Sequence, residues 1–157
     1  MEIVYIETTV VSLLVANPSK DLLTAGQQQA TQDWWSQRRG FFQCVTSDET
    51  LAESARGDAE QVRLRLSALA GMPSLAITVE AEKLAADFLL TGAMPAAARS
   101  DAVHLAVASV ARVDYVLTWN CRHLANGMLA DRIERTCAQA GIKAPRILTP
   151  EMLMEST

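Results

Sequence analysis

Residues 99–120, RSDAVHLAVASVARVDYVLTWN, constrain most tightly what this chain can become. Asp101 opens a stretch that is almost wholly apolar through Val110. A short break follows at Arg112, and residues 115–118 then read as a buried strand that ends on the polar side chain of Asn120. A buried helix with a carboxylate near its start, leading to a buried strand with a polar tip, costs free energy unless the polar ends are used. A carboxylate withdrawn from water needs a hydrogen bond, a cation or a metal ion. Further carboxylates converging on Asp101 around such an ion are one way to supply that use.

The remaining chain alternates strands with helices. Residues 2–6 read as a short apolar strand. Glu7 follows at once, and Thr8 or Thr9 is placed to cap a helix that Asn17-Pro18 stops. Residues 19–26 read as a loop and 25–39 as a polar helix carrying Trp34 and Trp35, with Gly40 ending it. Residues 41–45 form the second strand candidate, after which Ser47 caps a helix running to about Arg56. That helix bears Glu49 and Glu53, four residues apart and so on neighbouring turns of one face. Residues 58–70 read as a helix and 75–77 as a very short strand, and Thr78 caps a helix to about Thr91. Gly92 and Pro95 separate this helix from the buried one. Beyond Asn120 lie a polar loop, CRHLANG, a helix over 128–140, a strand over 146–148 and a helix start at Thr149-Pro150-Glu151. This order predicts an α/β fold with a mostly parallel central sheet covered on both faces.

Composition narrows the class. The length of 157 residues suits one domain over 1–157, and 50% hydrophobic with 20% charged residues excludes a disordered chain. No apolar run approaches the roughly 18–20 residues of a membrane span, and the N-terminus MEIVYIE lacks the pattern of a signal peptide. The scattered Cys44, Cys121 and Cys137 fit reduced thiols of a cytoplasmic protein. A formal net charge of −4 argues against a domain that clamps nucleic acid by charge alone.

Ligands of open parallel sheets bind outside the carboxyl ends of the strands. Glu7 and Asn120 each stand just past a strand end, Glu53 lies in the helix after the second strand, and Asp101 begins the buried helix. If the strands are neighbours, all four meet at one edge. Two bare carboxylates about 4 Å apart repel by roughly 4 kcal/mol at an effective dielectric of about 20, so such a meeting must take up protons or bind a cation. Oxygen ligands select Mg²⁺ or Mn²⁺ over zinc. Such an ion polarises a phosphoryl oxygen and activates water for in-line attack on a phosphodiester.

Four segments in this order resemble the PIN domains, and most closely the VapC-type toxins among them. They are YIETTVVS (5–12), TSDETLAES (46–54) with Glu53, DAVHLAVA (101–108) with Asp101, and YVLTWN (115–120) with Asn120. The resemblance implies a Rossmann-like α/β/α sandwich and a Mg²⁺- or Mn²⁺-dependent ribonuclease cutting single-stranded RNA. It also implies a toxin neutralised by a small antitoxin protein, and a homodimer. Glu7, Glu53 and Asp101 take the metal-ligand positions, and Asn120 stands with them in the catalytic set. The sequence departs from the family in two of these, since Glu7 and Asn120 replace aspartates, and Arg122 stands where a further acid is usual. Thr118, Arg99, Arg122 and His123 are the candidate substrate contacts, Thr118 being equally suited to hydrogen-bond a carboxylate.

Plainer roles compete with these. Asp101 also suits a helix N-terminus, Glu53 an exposed helix face and Asn120 a turn. His104 reads as a satisfied core histidine, and Trp34 and Trp35 as packing or a dimer surface rather than a base-stacking platform. Cys121 and His123 are too few for zinc, and no base is placed to activate a serine. An inactive module that binds RNA or a protein partner is the alternative function. A small phosphatase fits less well, because no aspartate nucleophile follows the first strand.

Overall fold

Residues 1–155 are described by a computed structural model. The elements are β1 (Ile3–Ile6), α1 (Thr8–Val15), α2 (Leu22–Gln37), a 3-10 turn (Arg39–Phe41), β2 (Gln43–Ser47), α3 (Asp48–Ser54), α4 (Ala59–Leu69), β3 (Ser74–Leu75), α5 (Val79–Leu90), α6 (Arg99–Val110), β4 (Tyr115–Leu117), α7 (Ala130–Gln139), β5 (Arg146–Leu148) and α8 (Pro150–Glu155).

The strands form one sheet in the order β3-β2-β1-β4-β5, and every neighbouring pair is parallel. Side chains alternate across it. Tyr5, Val45 and Val116 enter the core under α5, α6 and α7. Val4, Ile6, Tyr115 and Leu117 enter the opposite core, with Val10 and Val11 of α1, Trp34 of α2, Leu69 of α4 and Leu153 of α8. The result is a three-layer α/β/α sandwich, the architecture that the alternating pattern and the resemblance both imply. Helix α6 is apolar nearly all round because it lies between the sheet and α5, and Ala102, Leu105, Ala106 and Ala108 are sealed from solvent.

Local chemistry shifts several boundaries. Helix α2 starts at Leu22, inside the expected loop, because the Asp21 carboxylate accepts the Thr24 N–H at 2.9 Å and caps it. It ends at Gln37 before Gly40, which lies within the 3-10 turn and does not adopt a positive φ. That turn is held by guanidinium–ring contacts, Arg38 over Phe41 and Arg39 over Trp35, and it displaces β2 to Gln43–Ser47. The cap of α1 is Glu7 rather than Thr8 or Thr9. Ser47 caps α3 as expected. Gly92 and Gly141 end α5 and α7 with φ of 73°, the left-handed conformation glycine adopts without strain. Trp34 is fully buried and stacks on Phe42, so its role is packing. The three cysteines are free.

Candidate metal and phosphodiester site

Strand β1 is central, with β2 on one side and β4 on the other. Chains leaving the carboxyl ends of β1 and β4 open a crevice, the place where parallel sheets bind ligands. A pocket of about 430 Å³ lies there, and its walls include Glu7, Glu53, Asp101 and Asn120. The four polar groups that the sequence places past strand ends or in the following helices therefore share one cavity.

Each is held differently. Glu7 is 3% exposed. As N-cap of α1, its Oε2 accepts the Thr9 N–H at 3.1 Å, and its Oε1 accepts the hydroxyls of Thr9 and of Thr118, the latter at 2.6 Å. Thr118 also accepts the Asn120 N–H at 2.9 Å. Its side chain is fully buried, so it orients a carboxylate and leaves no face for a substrate, which corrects the substrate-contact role.

Glu53 projects from α3 into the same space. Its Oε1 accepts the Thr8 hydroxyl at 2.6 Å and is bonded to His104 Nε2, while the Ser100 hydroxyl lies 3.1 Å from Oε2 and 2.7 Å from Glu49 Oε1. Burial pushes the Glu53 carboxyl up, but the bond to and charge of His104, with the hydroxyls of Thr8 and Ser100, prevail and hold it at about 2. Glu53 is thus the member of the Glu49–Glu53 pair that lines the pocket.

His104 is sealed from solvent, with Nδ1 2.6 Å from the Tyr5 hydroxyl and Nε2 on Glu53. The Tyr5 hydroxyl continues to Ser47 Oγ at 2.6 Å. Burial pushes the imidazole pKa down, yet the bond to Glu53 and the charges of Glu7, Glu53 and Glu49 leave it raised. Burial drives the Tyr5 phenol up, so it stays protonated. His104 is the satisfied core histidine of the sequence reading, and it also orients Glu53, which that reading missed. The signal was its position three residues after Asp101, on the same helix face.

Asp101, in the first turn of α6, bonds His123 Nδ1 through Oδ2 at 2.8 Å. Asn120 Oδ1 accepts the His123 N–H at 3.0 Å. The loop after β4 is therefore tied to both residues through His123. Arg122 and Arg99 are exposed.

Glu7, Glu53 and His104 each offer a ligand atom within 4.8 Å of the others, a set that leaves Asp101 out. Both ring nitrogens of His104 are already engaged, so the carboxylates are the better donors. Among the described residues each keeps an oxygen with spare capacity: Glu7 Oε2 accepts one donor, the Thr9 N–H, Glu53 Oε2 one, the Ser100 hydroxyl, and none reaches Asp101 Oδ1. Two such oxygens within reach of one another, with Asp101 on the wall of the same pocket, are donors of the kind a hard divalent cation, Mg²⁺ or Mn²⁺, takes.

No family model and no curated protein matches the chain. Among solved structures it is similar to the crystal structure of a member of the VapBC family of toxin–antitoxin systems, VapBC-5, from Mycobacterium tuberculosis. The identity is 17%, the match covers 76% of this chain and 86% of that one, and the TM-score is 0.47. At that identity no residue role carries across.

Proposed function

We propose that this chain is a Mg²⁺- or Mn²⁺-dependent endoribonuclease that cuts single-stranded RNA. The observation that carries the proposal is the convergence of Glu7, Glu53 and Asp101 on one pocket at the carboxyl ends of β1 and β4. When bound there, the ion supplies Lewis-acid stabilisation of charge on the phosphodiester and a more acidic water. The chain's own residues hold the geometry. Thr9 and Thr118 fix the Glu7 carboxylate, and Thr8, Ser100 and His104 fix that of Glu53. Asp101 closes the third side, and Asn120 helps position the attacking water. No side-chain nucleophile is required.

The role of toxin, the small antitoxin partner and the homodimer rest on the sequence resemblance, and the cytoplasmic setting on the scattered cysteines. No helix among the described residues is long and apolar enough to cross a membrane.

The test is cleavage of several single-stranded RNAs with and without Mn²⁺. Asp101→Asn is expected to abolish cleavage while the circular dichroism spectrum and melting temperature stay those of the wild type. Metal-dependent cleavage retained by a folded Asp101→Asn would remove that residue from the mechanism. A second reading is a module that keeps the fold and binds RNA or a protein partner without cutting. Asn120 favours it, being uncharged and having its carbonyl oxygen engaged by the His123 N–H. No cleavage by the wild type, together with no Mn²⁺ binding at millimolar metal, would select that reading.

A further inference from the structure

We infer that a single RNA strand seated in the acidic pocket continues across the Arg122–His123 groove onto the arginine face of α7. There Arg132 and Arg135 hold phosphates several nucleotides away from the one attacked. The inference rests on the ribonuclease reading and adds to it a path for the substrate.

Three depressions adjoin in sequence. His123 bonds Asp101 and Asn120 of the acidic pocket. On its other side His123, with Arg122, lines a groove of about 690 Å³ whose further wall includes Gly92 and Met94. The Gly92 carbonyl accepts a hydrogen bond from Arg132 Nη1 at 3.3 Å. Arg132, Arg135, Thr136 and Thr91 line the next depression, about 430 Å³. Gly92 has a positive φ that favours glycine, and its position brings the Arg132 guanidinium within 3.4 Å of where a Cβ would stand.

Charge identifies the occupant. Among the described residues the ion pairs are Arg63–Glu60, His104–Glu53 and His123–Asp101, so Arg122, Arg132 and Arg135 have no carboxylate partner. The chain as a whole is acidic, at −4, yet Arg122 lines the groove next to the acidic pocket and Arg132 and Arg135 the depression beyond it. Arg132, Arg135, Thr136 and Gln139 recur at helical spacing and present one face. Arginine forks hold phosphates without reading bases, and the buried Thr136 hydroxyl, bonded to Thr91 and to the Arg132 carbonyl, braces this face rather than meeting a phosphate.

The experiment measures binding of fluorescein-labelled oligouridines of 4 and 12 nucleotides by fluorescence anisotropy, in EDTA so that no hydrolysis occurs, over a range of KCl. The 12-mer is expected to bind at least tenfold more tightly than the 4-mer. In the double variant Arg132→Ala/Arg135→Ala that advantage should be lost, and the slope of log K against log salt should fall by about 1.4, from roughly 0.7 per phosphate contact on a single strand. Arg63→Ala, whose partner is Glu60 on exposed α4, is the control expected to change neither quantity. The path is overturned if the 12-mer gains nothing over the 4-mer, or if the double variant keeps both affinity and slope. It is equally overturned if duplex RNA or polyglutamate competes as well as the 12-mer. Mn²⁺-dependent cleavage by the wild type is scored separately. Cleavage without a length advantage rejects the path alone, whereas neither cleavage nor binding rejects the ribonuclease reading with it.

Discussion

Glu53 reaches from the pocket to bond Nε2 of His104, a histidine sealed from solvent whose other ring nitrogen meets the Tyr5 hydroxyl at 2.6 Å. A surface-accessible carboxylate is thereby tied to a buried polar chain that ends on Ser47 at the carboxyl end of β2. Removing one member of such a chain leaves its neighbours without partners.

Tyr5→Phe should therefore destabilise the fold by about 1–3 kcal/mol, the cost of stranding a buried polar group, with His104 Nδ1 losing its close partner. His104→Ala should cost more, since it adds a cavity to the loss of two bonds. Urea unfolding of both variants checks the order. A Tyr5→Phe protein as stable as the wild type would show that the phenol–imidazole contact contributes nothing.

The same pair sets a pH dependence of stability in the metal-free protein. Glu53 has its folded-state pKa depressed from 4.5 to about 2, so its contribution is present above 4.5 and is lost as pH falls toward 2. His104 is raised above 6.5, so its contribution is present below 6.5 and is lost as pH rises through the folded value. Stability in chelator should therefore pass through a maximum between these limits. The maximum should flatten in Glu53→Gln, which removes the acid-side titration and the charge that raises His104. Melting temperatures of both proteins from pH 2 to pH 9 measure this, and superimposable profiles would contradict it.

Asn120→Asp should strengthen metal binding. An aspartate keeps an oxygen for the His123 N–H, which Asn120 Oδ1 accepts at 3.0 Å, and adds one negative charge to the wall of the pocket. A unit charge about 6 Å from a divalent ion in water contributes roughly 1.4 kcal/mol, or about a tenfold lower Kd for Mn²⁺. Calorimetric titration decides it. An unchanged or weaker Kd would mean that residue 120 does not face the ion.

Much of the fold was legible because apolar runs and caps are local signals. Ser47 and Thr78 cap helices where their positions suggest, and residues 99–120 deliver the buried helix and strand. The boundaries that moved did so through contacts remote from any local pattern, as where Arg38 over Phe41 and Arg39 over Trp35 hold a 3-10 turn before β2. Strand order was not legible, since nothing in residues 3–6 says that β2 and β4 flank them. At the pocket, position past a strand end singled out Glu7 and Asn120, whereas Glu53 and Asp101 lie in helices and were picked out with the help of the resemblance; all four line one cavity. Of the hydrogen bonds that hold them, that of Thr118 to a carboxylate was among the roles its position allowed, whereas the others were not foreseen, because Thr8 and Thr9 looked like caps and His104 like core. The Asp101–His123 bond joins residues 22 apart across a strand and a loop, a closure that spacing does not encode.

The central claim is that three carboxylates form one divalent-cation site. Anomalous diffraction from crystals soaked in Mn²⁺ tests it most directly. The account predicts a single strong peak within coordination distance of oxygens from Glu7, Glu53 and Asp101, lost in crystals of Glu53→Gln. A pocket without a peak at millimolar Mn²⁺, or a peak held by other side chains, would contradict it.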